Sequence, residues 1–429
     1  MIEMRPPTQQ ELAQRLRQAR ESAGMTQEDV AHRLDLSRSS VAQIELGKRA
    51  VSGLELDRLA RLYGRDIRDF FAADLRPEES VIALFRASSA VTGREGVLDA
   101  LRDCVVLARE LAGLEGVLGI DRSQSAVPVY SHGPLRARWQ AIEQGTRAAV
   151  EERRRLGLGA RPLGDLSELL EEQGIRTVMI DLPDEVSGLS LMEKGLSLSA
   201  IVNQRHSRLR RRFSWAHEYA HLLLDRDRQG TISLASDRNE LSEIRANVFA
   251  ASFLMPEEGV REFLTDLGKG RPRRERVEIF DEVAVIPAEI RTAPDAQAVR
   301  LYDVVLLAHH FKVSRTSMLY RLHNLRFLSQ AALDPLLREE ESGRGRDIER
   351  LLDLPQIDHA AGRSSFRSRF LGLAIEACRR DAITLAKLRE LAALVGFSER
   401  EILDLLEDAG LSPDEGAEVL LPDDPRPTV

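Results

Sequence analysis

The chain has 429 residues, 43% of them apolar and 30% charged, which suits two or three soluble globular domains and excludes a disordered chain. A net charge of −8 argues against a surface coated in basic groups; residues 1–76 carry 13 Lys+Arg against 12 Asp+Glu, so the acidity lies downstream. The two cysteines, Cys104 and Cys378, exclude a disulfide framework and a cysteine-based zinc site, so any metal must be held by histidine and carboxylate. No stretch approaches ~18 consecutive apolar residues and Met1-Ile2-Glu3-Met4-Arg5-Pro6-Pro7 has no apolar run, so the expectation is a cytoplasmic protein without a membrane partner. Only five of the 61 basic residues are Lys, a compositional bias that gives no single Arg special weight.

From the N-terminus, Gln9–Ser22 is predicted as an amphipathic helix with Leu12 and Leu16 inward, ending near Gly24. Thr26 is an N-cap, and Thr26-Gln27-Glu28-Asp29 approximates a capping box opening the helix Gln27–Leu34. A turn at Asp35-Leu36 leads to a second N-cap, Ser37, and to a helix over 38–46 stopped by Gly47. Two short helices so joined make the geometry in which the second enters the major groove of DNA. Its outward residues Arg38, Ser39, Ser40 and Gln43 are types that read bases or phosphates, Lys48 and Arg49 follow as backbone contacts, and Gln27 joins the candidate set. The Arg-x-x-x-Gly-Met-Thr-Gln-Glu-Asp-Val-Ala run and Ser-Arg-Ser-Ser-Val-Ala-Gln-Ile-Glu-Leu-Gly-Lys-Arg resemble the Cro/cI-like XRE family over residues 9–71. The resemblance implies a five-helix domain, residues 8–71, that binds double-stranded DNA. The competing reading is a helical docking module that has lost DNA binding, which the near-neutral charge keeps open.

Residues 77–160 read as a mostly helical linker region, with helices over 97–114 and 135–155 and no nameable chemistry. Residues 161–325 alternate: helix over 166–173, strands at Arg176–Ile180 and 196–202, helices over 213–224 and Leu241–Leu254. Gly268, Pro272, Pro287 and Pro294 punctuate a charged segment read as an exposed insertion.

The helix over 213–224 contains His217-Glu218-Tyr219-Ala220-His221. Histidines at i and i+4 share a face, so both imidazoles can reach one zinc ion at about 2.0–2.1 Å. Glu218 points beside the metal, where a general base takes a proton from the attacking water. The flanks are apolar, and two histidines and a glutamate are costly to bury without a partner. A chance pair of histidines on a surface helix is the bland alternative. A catalytic zinc needs a third ligand, and Leu222-Leu223-Leu224-Asp225-Arg226-Asp227 offers no third histidine. The expected source is a carboxylate on the helix Leu241–Leu254, where Glu243, Ala246, Asn247 and Ala250 share a face and the alanines allow close approach. Glu243 is the preferred ligand, Glu240 its competitor, and Asn247 a candidate amide behind the ligands.

The runs Arg212-Phe213-Ser214-Trp215-Ala216-His217-Glu218-Tyr219-Ala220-His221-Leu222 and Glu243-Ile244-Arg245-Ala246-Asn247-Val248-Phe249-Ala250, with Phe253-Leu254-Met255-Pro256, resemble the ImmA/IrrE metallopeptidases across roughly residues 150–325. That likeness implies a gluzincin-like zinc site and cleavage of a repressor. Arg245 stands where the family often has Glu, which leaves Glu243 as the carry-over for the ligand. By the same likeness, the strand within 195–203 is a candidate edge for an extended substrate, an ordinary interior strand being the rival. The basic run 205–212 reads as a solvated approach to the zinc helix, with an acidic or phosphate ligand as the sharper alternative, and His206 as an unsupported oxyanion candidate.

Residues 304–325 have a second helix-turn-helix-like rhythm, 326–420 form a helical C-terminal region, and the tail after Leu421 reads as disordered. The combined expectation is a mainly α chain with a small mixed sheet (α+β). It would act as a zinc endopeptidase with a DNA-binding head, cleaving a repressor or antitoxin-like partner, with a homodimer as a candidate assembly. The alternative is a non-proteolytic XRE-family transcriptional regulator whose zinc site is structural or sensory.

Overall fold

The computed structural model describes residues 8–22, 25–63, 67–71, 95–120, 122, 127–192, 198–228, 230–269, 274–281, 284–291, 297–355 and 363–408. Gly24, residues 77–94 of the expected linker, the start of the strand expected over 196–202, and the tail after Leu421 lie outside them. The chain divides into two units, residues 1–80 and 81–429.

In the first unit, α1 (Gln9–Ser22), α2 (Gln27–Leu34), α3 (Arg38–Glu45), α4 (Gly53–Leu62) and a 3-10 turn (Ile67–Phe70) enclose Leu16, Val30, Val41, Ile44, Leu59 and Phe70. The caps are those expected: Thr26 Oγ1 accepts from Asp29 N at 3.1 Å, Asp29 Oδ2 accepts from Thr26 N at 2.8 Å, and Ser37 Oγ accepts from Ser40 N at 3.1 Å. Asp35 closes α2 in the left-handed region (φ 56°), a conformation that Asp tolerates better than most residues. Beneath the turn, Arg20 Nε donates to Glu45 Oε1 at 2.6 Å and Gln27 Nε2 to Glu45 Oε2 at 2.8 Å. The pairing offsets the cost of burying both charges.

The second unit contains α5 (Glu95–Val117), α6 (Arg138–Arg155), α7 (Leu166–Glu172), β1 (Arg176–Ile180), β2 (Val186–Leu191), β3 (Ser199–Asn203), α8 (Arg208–Leu224), β4 (Gly230–Leu234), α9 (Leu241–Leu254) and α10 (Glu257–Asp266). A hairpin of β5 (Arg274–Asp281) and β6 (Ala284–Arg291) follows, and then α11 (Leu301–Phe311), α12 (Arg315–Asn324), α13 (Gln330–Glu341), α14 (Arg344–Leu351), α15 (Arg363–Arg379), α16 (Leu385–Leu394) and α17 (Glu399–Asp408). The charged segment read as an exposed insertion is therefore a regular antiparallel hairpin. Its Pro287 is tolerated because a two-stranded sheet leaves each strand an unpaired side.

The main sheet is mixed, in the order β1-β3-β2-β4, with β1 parallel and β2 antiparallel to β3. The strand expected as a substrate-binding edge is thus interior, hydrogen-bonded on both sides, and the outer strands are β1 and β4. Period-two alternation separates two cores. Ala200 and Val202 pack with α8 and α9, whereas Ile201, Leu189 and Leu191 pack with α5, α15 and α16. The expected start of the zinc helix is corrected as well: α8 begins at Arg208, capped by Ser207 Oγ, so most of the basic run is its first turns.

α6 crosses α9 backbone to backbone. A Cβ built on Gly145 would stand 2.5 Å from Arg245 O and 3.1 Å from Phe249 N. Arg153, buried and without a carboxylate partner among the described residues, donates from Nη1 to Phe253 O at 2.5 Å and from Nε to Gly159 O at 2.9 Å. Arg321 Nε donates to Met255 O at 2.9 Å. Cations thus satisfy carbonyls at the C-terminal end of α9, where the helix dipole favours them. The turn between α11 and α12 repeats that between α2 and α3: a left-handed residue (Lys312, φ 55°), a buried apolar residue (Val313) and a serine N-cap (Ser314). Here, however, Arg315 is held by Glu340 at 2.7 Å and Glu349 at 2.6 Å, so the helix is bound into the unit.

Two glycine substitutions should separate crowding from propensity. Gly145→Ala is expected to destabilise by about 1–3 kcal/mol through overpacking. Gly113→Ala, where nothing lies within 4 Å, should stabilise α5 by up to about 1 kcal/mol. Denaturant midpoints followed by circular dichroism test both; equal shifts would show that the α6–α9 contact is slack.

Candidate metal centre and nucleic-acid interface

α8 carries His217 and His221 one turn apart, and α9 brings Glu243 opposite them because Ala246 and Ala250 leave room for the helices to meet. His217 Nε2 lies 3.1 Å from His221 Nε2 and 3.1 Å from Glu243 Oε2, and His221 Nε2 lies 3.2 Å from Glu243 Oε1. All three residues are buried, and they are the one group of this kind among the described residues. Glu240, the competing carboxylate, is exposed at the N-cap of α9.

The far sides of the rings fix the chemistry of the near sides. Asn247 Oδ1 accepts from His217 Nδ1 at 3.1 Å, and Asp225 Oδ2 accepts from His221 Nδ1 at 2.8 Å. With both Nδ1 atoms protonated, the rings turn their Nε2 atoms toward one point, which the Glu243 carboxylate also faces, so that point can hold a metal ion or, where none is bound, a proton on Nε2. Three electron-pair donors so close repel unless a cation lies among them. Tetrahedral bonds of 2.0–2.1 Å place ligand atoms about 3.3 Å apart, close to the spacings here, so the residues fit a zinc ion. Burial alone would lower the His221 imidazole, yet its bonds to Asp225 and Glu243 push it up to about 10. Burial would likewise raise Glu243, but hydrogen bonds from both histidines hold it well below the usual carboxylate range. The site calls for positive charge.

Glu218, fully buried, points toward the sheet. Ser190 Oγ on β2 donates to Oε2 at 2.6 Å, and Ser233 Oγ on β4 donates to Oε1 at 2.7 Å. A Cβ on Gly188 would meet Glu218 Oε1 at 2.5 Å, so the carboxylate needs glycine there. Burial pushes the Glu218 carboxyl up, against the pull of the two histidines and the serine hydroxyls. Each oxygen accepts one serine bond and keeps a further lone pair for a water.

Several partners escaped the sequence reading. Asp225 was within reach of it, since His221 and Asp225 stand at helical i,i+4 spacing. Arg245, which forms an ion pair with Asp225 and donates to Gln144 Oε1 at 3.1 Å, was hidden by the arginine-rich composition. Ser190, Ser233 and Gly188 had no local signal, being brought to Glu218 only by strand pairing. His206 is held at Asp184 O (3.3 Å).

In the first unit, Arg38, Ser39, Gln43 and Lys48 are exposed on or just beyond α3, and Ser40 is half-buried. Ser37 Oγ lies 2.8 Å from both Ser39 Oγ and Ser40 Oγ. Gln27 is tied to Glu45, and Arg49 is ion-paired with Glu55 at 2.6 Å.

Residues 16–70 match the helix-turn-helix family, and residues 170–279 match the peptidase family described as IrrE N-terminal-like domain. The chain therefore joins a helix-turn-helix domain to an IrrE/ImmA-like domain, a pairing that fits a regulator. No curated protein is significantly similar in sequence. Among solved structures, ComR from Streptococcus suis is 14% identical, over 91% of this chain and 94% of that one, with a TM-score of 0.15. PlcR of Bacillus thuringiensis, in complex with the peptide PapR7 and DNA, is 13% identical over 94% and 97%, also at 0.15. Among the described residues no helix is long and apolar enough to cross a membrane.

Removing Glu243 should cost zinc affinity far more than removing Glu240, and Asp225→Asn should cost about 10–100-fold by loosening His221. Competition with a chromophoric chelator measures all three. Equal losses in Glu243→Ala and Glu240→Ala would remove Glu243 from the ligand set.

Proposed function

We propose that this chain is a DNA-binding zinc endopeptidase that cleaves a transcriptional repressor or an antitoxin-like partner. One observation carries the reading: a buried carboxylate, Glu218, adjoins the His217, His221 and Glu243 cluster without belonging to it. A purely structural zinc site has no use for such a group. A zinc ion held by the three ligands would polarise the scissile carbonyl and acidify the attacking water. Glu218 takes the water's proton and delivers it to the leaving amine, with Ser190 and Ser233 fixing the carboxylate between the two transfers. Asn247 and Asp225 keep the imidazoles turned toward the metal. Of the sheet edges, the one beside Glu218 is that of β4, which supplies Ser233, and an extended substrate would pair there.

The helix-turn-helix supports the DNA-binding half of the proposal. Arg38, Ser39, Ser40 and Gln43 would face base edges and phosphates, Lys48 would contact the backbone, and Gln27 and Arg49 would reach DNA only by exchanging their present carboxylate partners.

A second reading, a regulator that cuts nothing and uses zinc as a structural or sensory ion, is favoured by the complete burial of Glu218 and His221. Purified protein incubated with candidate repressors, with and without chelator, decides between them.

Glu218→Gln should keep one zinc per chain and lose cleavage by at least about 100-fold, since the base is removed and the ligands are not. Metal analysis and a cleavage assay test this; loss of zinc would make Glu218 a ligand. On DNA, Gln43→Ala should relax sequence preference, whereas Lys48→Ala should weaken all sequences alike and reduce the salt slope by about 1. Random-pool selection followed by salt titration reads both, and no retained DNA would make the domain a docking module.

A further inference from the structure

Among the described residues of the first unit, the large apolar side chains left exposed are Leu46 (60%), Leu54 (65%) and Phe71 (43%). Every other described leucine there is buried or half-buried. Leu46 differs from the other two in its place on the fold. α3 ends at Glu45, but Leu46 keeps a right-handed conformation (φ −89°, ψ −1°) and donates from its N–H to Ala42 O at 3.0 Å, so its side chain stays in phase with the helix. At 100° per residue, positions 39, 43 and 46 fall within about 60° of one another. Ser39, Gln43 and Leu46 are all exposed, while Val41 and Ile44 fill the core from the opposite side.

The backbone holds Leu46 in that position. Gly47 turns into the left-handed region (φ 68°), and Lys48 N and Arg49 N both donate to Gln43 O, at 2.9 and 3.2 Å. A Cβ built on Gly47 would stand 3.4 Å from Gln10 Cα, so the turn is seated against α1. Leu46 is therefore the last residue of a closed helix end and not part of a fraying one. An apolar side chain is displayed on the face whose other exposed residues, Ser39 and Gln43, are hydrogen-bonding types.

We propose that Leu46 selects thymine, its side chain covering the C5-methyl group of a thymine in the major groove beside the base pair that Gln43 contacts. The inference rests on the DNA-binding reading of the domain and adds to it the base that this position prefers. Thymine alone among the four bases presents a methyl group in that groove. Leucine has no hydrogen bond to offer a base edge or a phosphate, and against the other three bases it would strip water from donors and acceptors without replacing it. Against thymine, two apolar surfaces leave water together. Ala42, half-buried one helical turn earlier, adds a second apolar surface beside Leu46. The exposed Lys48 remains available to the phosphates, so Leu46 contributes preference and not bulk affinity.

The test selects duplexes from a random pool with full-length wild type and with full-length Leu46→Ala. A thymine next to the position that Gln43→Ala relaxes should recur in the wild-type pool and become degenerate in the Leu46→Ala pool. In the selected duplex, deoxyuridine in place of that thymine removes the methyl group and nothing else. It should weaken wild-type binding about fourfold per thymine, the effect of one apolar carbon kept from water, and leave Leu46→Ala unaffected. Both proteins should show the same slope of affinity against salt, since no charge is lost. Leu54→Ala, which removes an equally exposed leucine from α4, should keep the thymine preference. Duplexes that are retained but indifferent to deoxyuridine, or weakened by it equally in wild type and Leu46→Ala, overturn the role of Leu46 and leave DNA binding standing. If no duplex is retained, both fall.

Discussion

Three electron-pair donors aimed at one buried point make the demand that the second unit is built to meet. Two imidazole nitrogens and a carboxylate cannot lie about 3 Å apart inside a protein without a positive charge among them. That requirement extends outward. Asn247 and Asp225 set the proton on the far nitrogen of each ring, and Arg245 neutralises Asp225 in turn. Arg153 and Arg321 hold the end of α9, so the helix carrying Glu243 and Asn247 cannot slide along α8. Deleting Asp225 takes the shared acceptor from both His221 and Arg245, so those two contacts are lost together.

Glu218 obeys the opposite logic. Its neighbours are hydroxyls and a glycine from two adjacent strands, and among the described residues no cation contacts it through a hydrogen bond. The small residues Gly188, Ser190 and Ser233 line the sheet where it meets Glu218, because a carboxylate must fit against it. Val186, Leu189 and Leu191 carry the hydrophobic burden of β2 on the other face. One short strand therefore serves a core on one side and the proposed general base on the other.

Much of this was legible in the residues. The caps at Thr26 and Ser37 are local chemistry, so the helix-turn-helix could be read within a residue at its ends. Helical spacing left Glu240 and Glu243 roughly on the same face as Ala246 and Ala250, and only the three-dimensional arrangement separates them, with Glu240 exposed at the N-cap of α9 and Glu243 beside the two histidines. What failed was long-range. β3 was an edge candidate by family likeness, its own residues showing only that it is a strand, but edge or interior is decided by which strands lie alongside, and those come from elsewhere in the chain. The hairpin of β5 and β6 was masked by its charges, although the alternation Arg276-Val277-Glu278-Ile279 was present in β5. The turn at Lys312-Val313-Ser314 shows the converse case. Its local pattern matches the DNA-reading turn, yet Glu340 and Glu349, distant in sequence, give the following helix another occupation.

The α6–α9 crossing also fixes how the chain can change in length. Gly145 meets the backbone of α9 directly, with Ala141, Ala148 and Ala149 buried on the same helix. A one-residue insertion anywhere before that crossing in α6 would turn the rest of the helix by about 100° and drive larger side chains into a gap that admits none. Among relatives, α6 should therefore keep its register relative to α9 even where sequence drifts. The β5–β6 hairpin, paired only with itself, is free to lengthen or shorten by whole residue pairs.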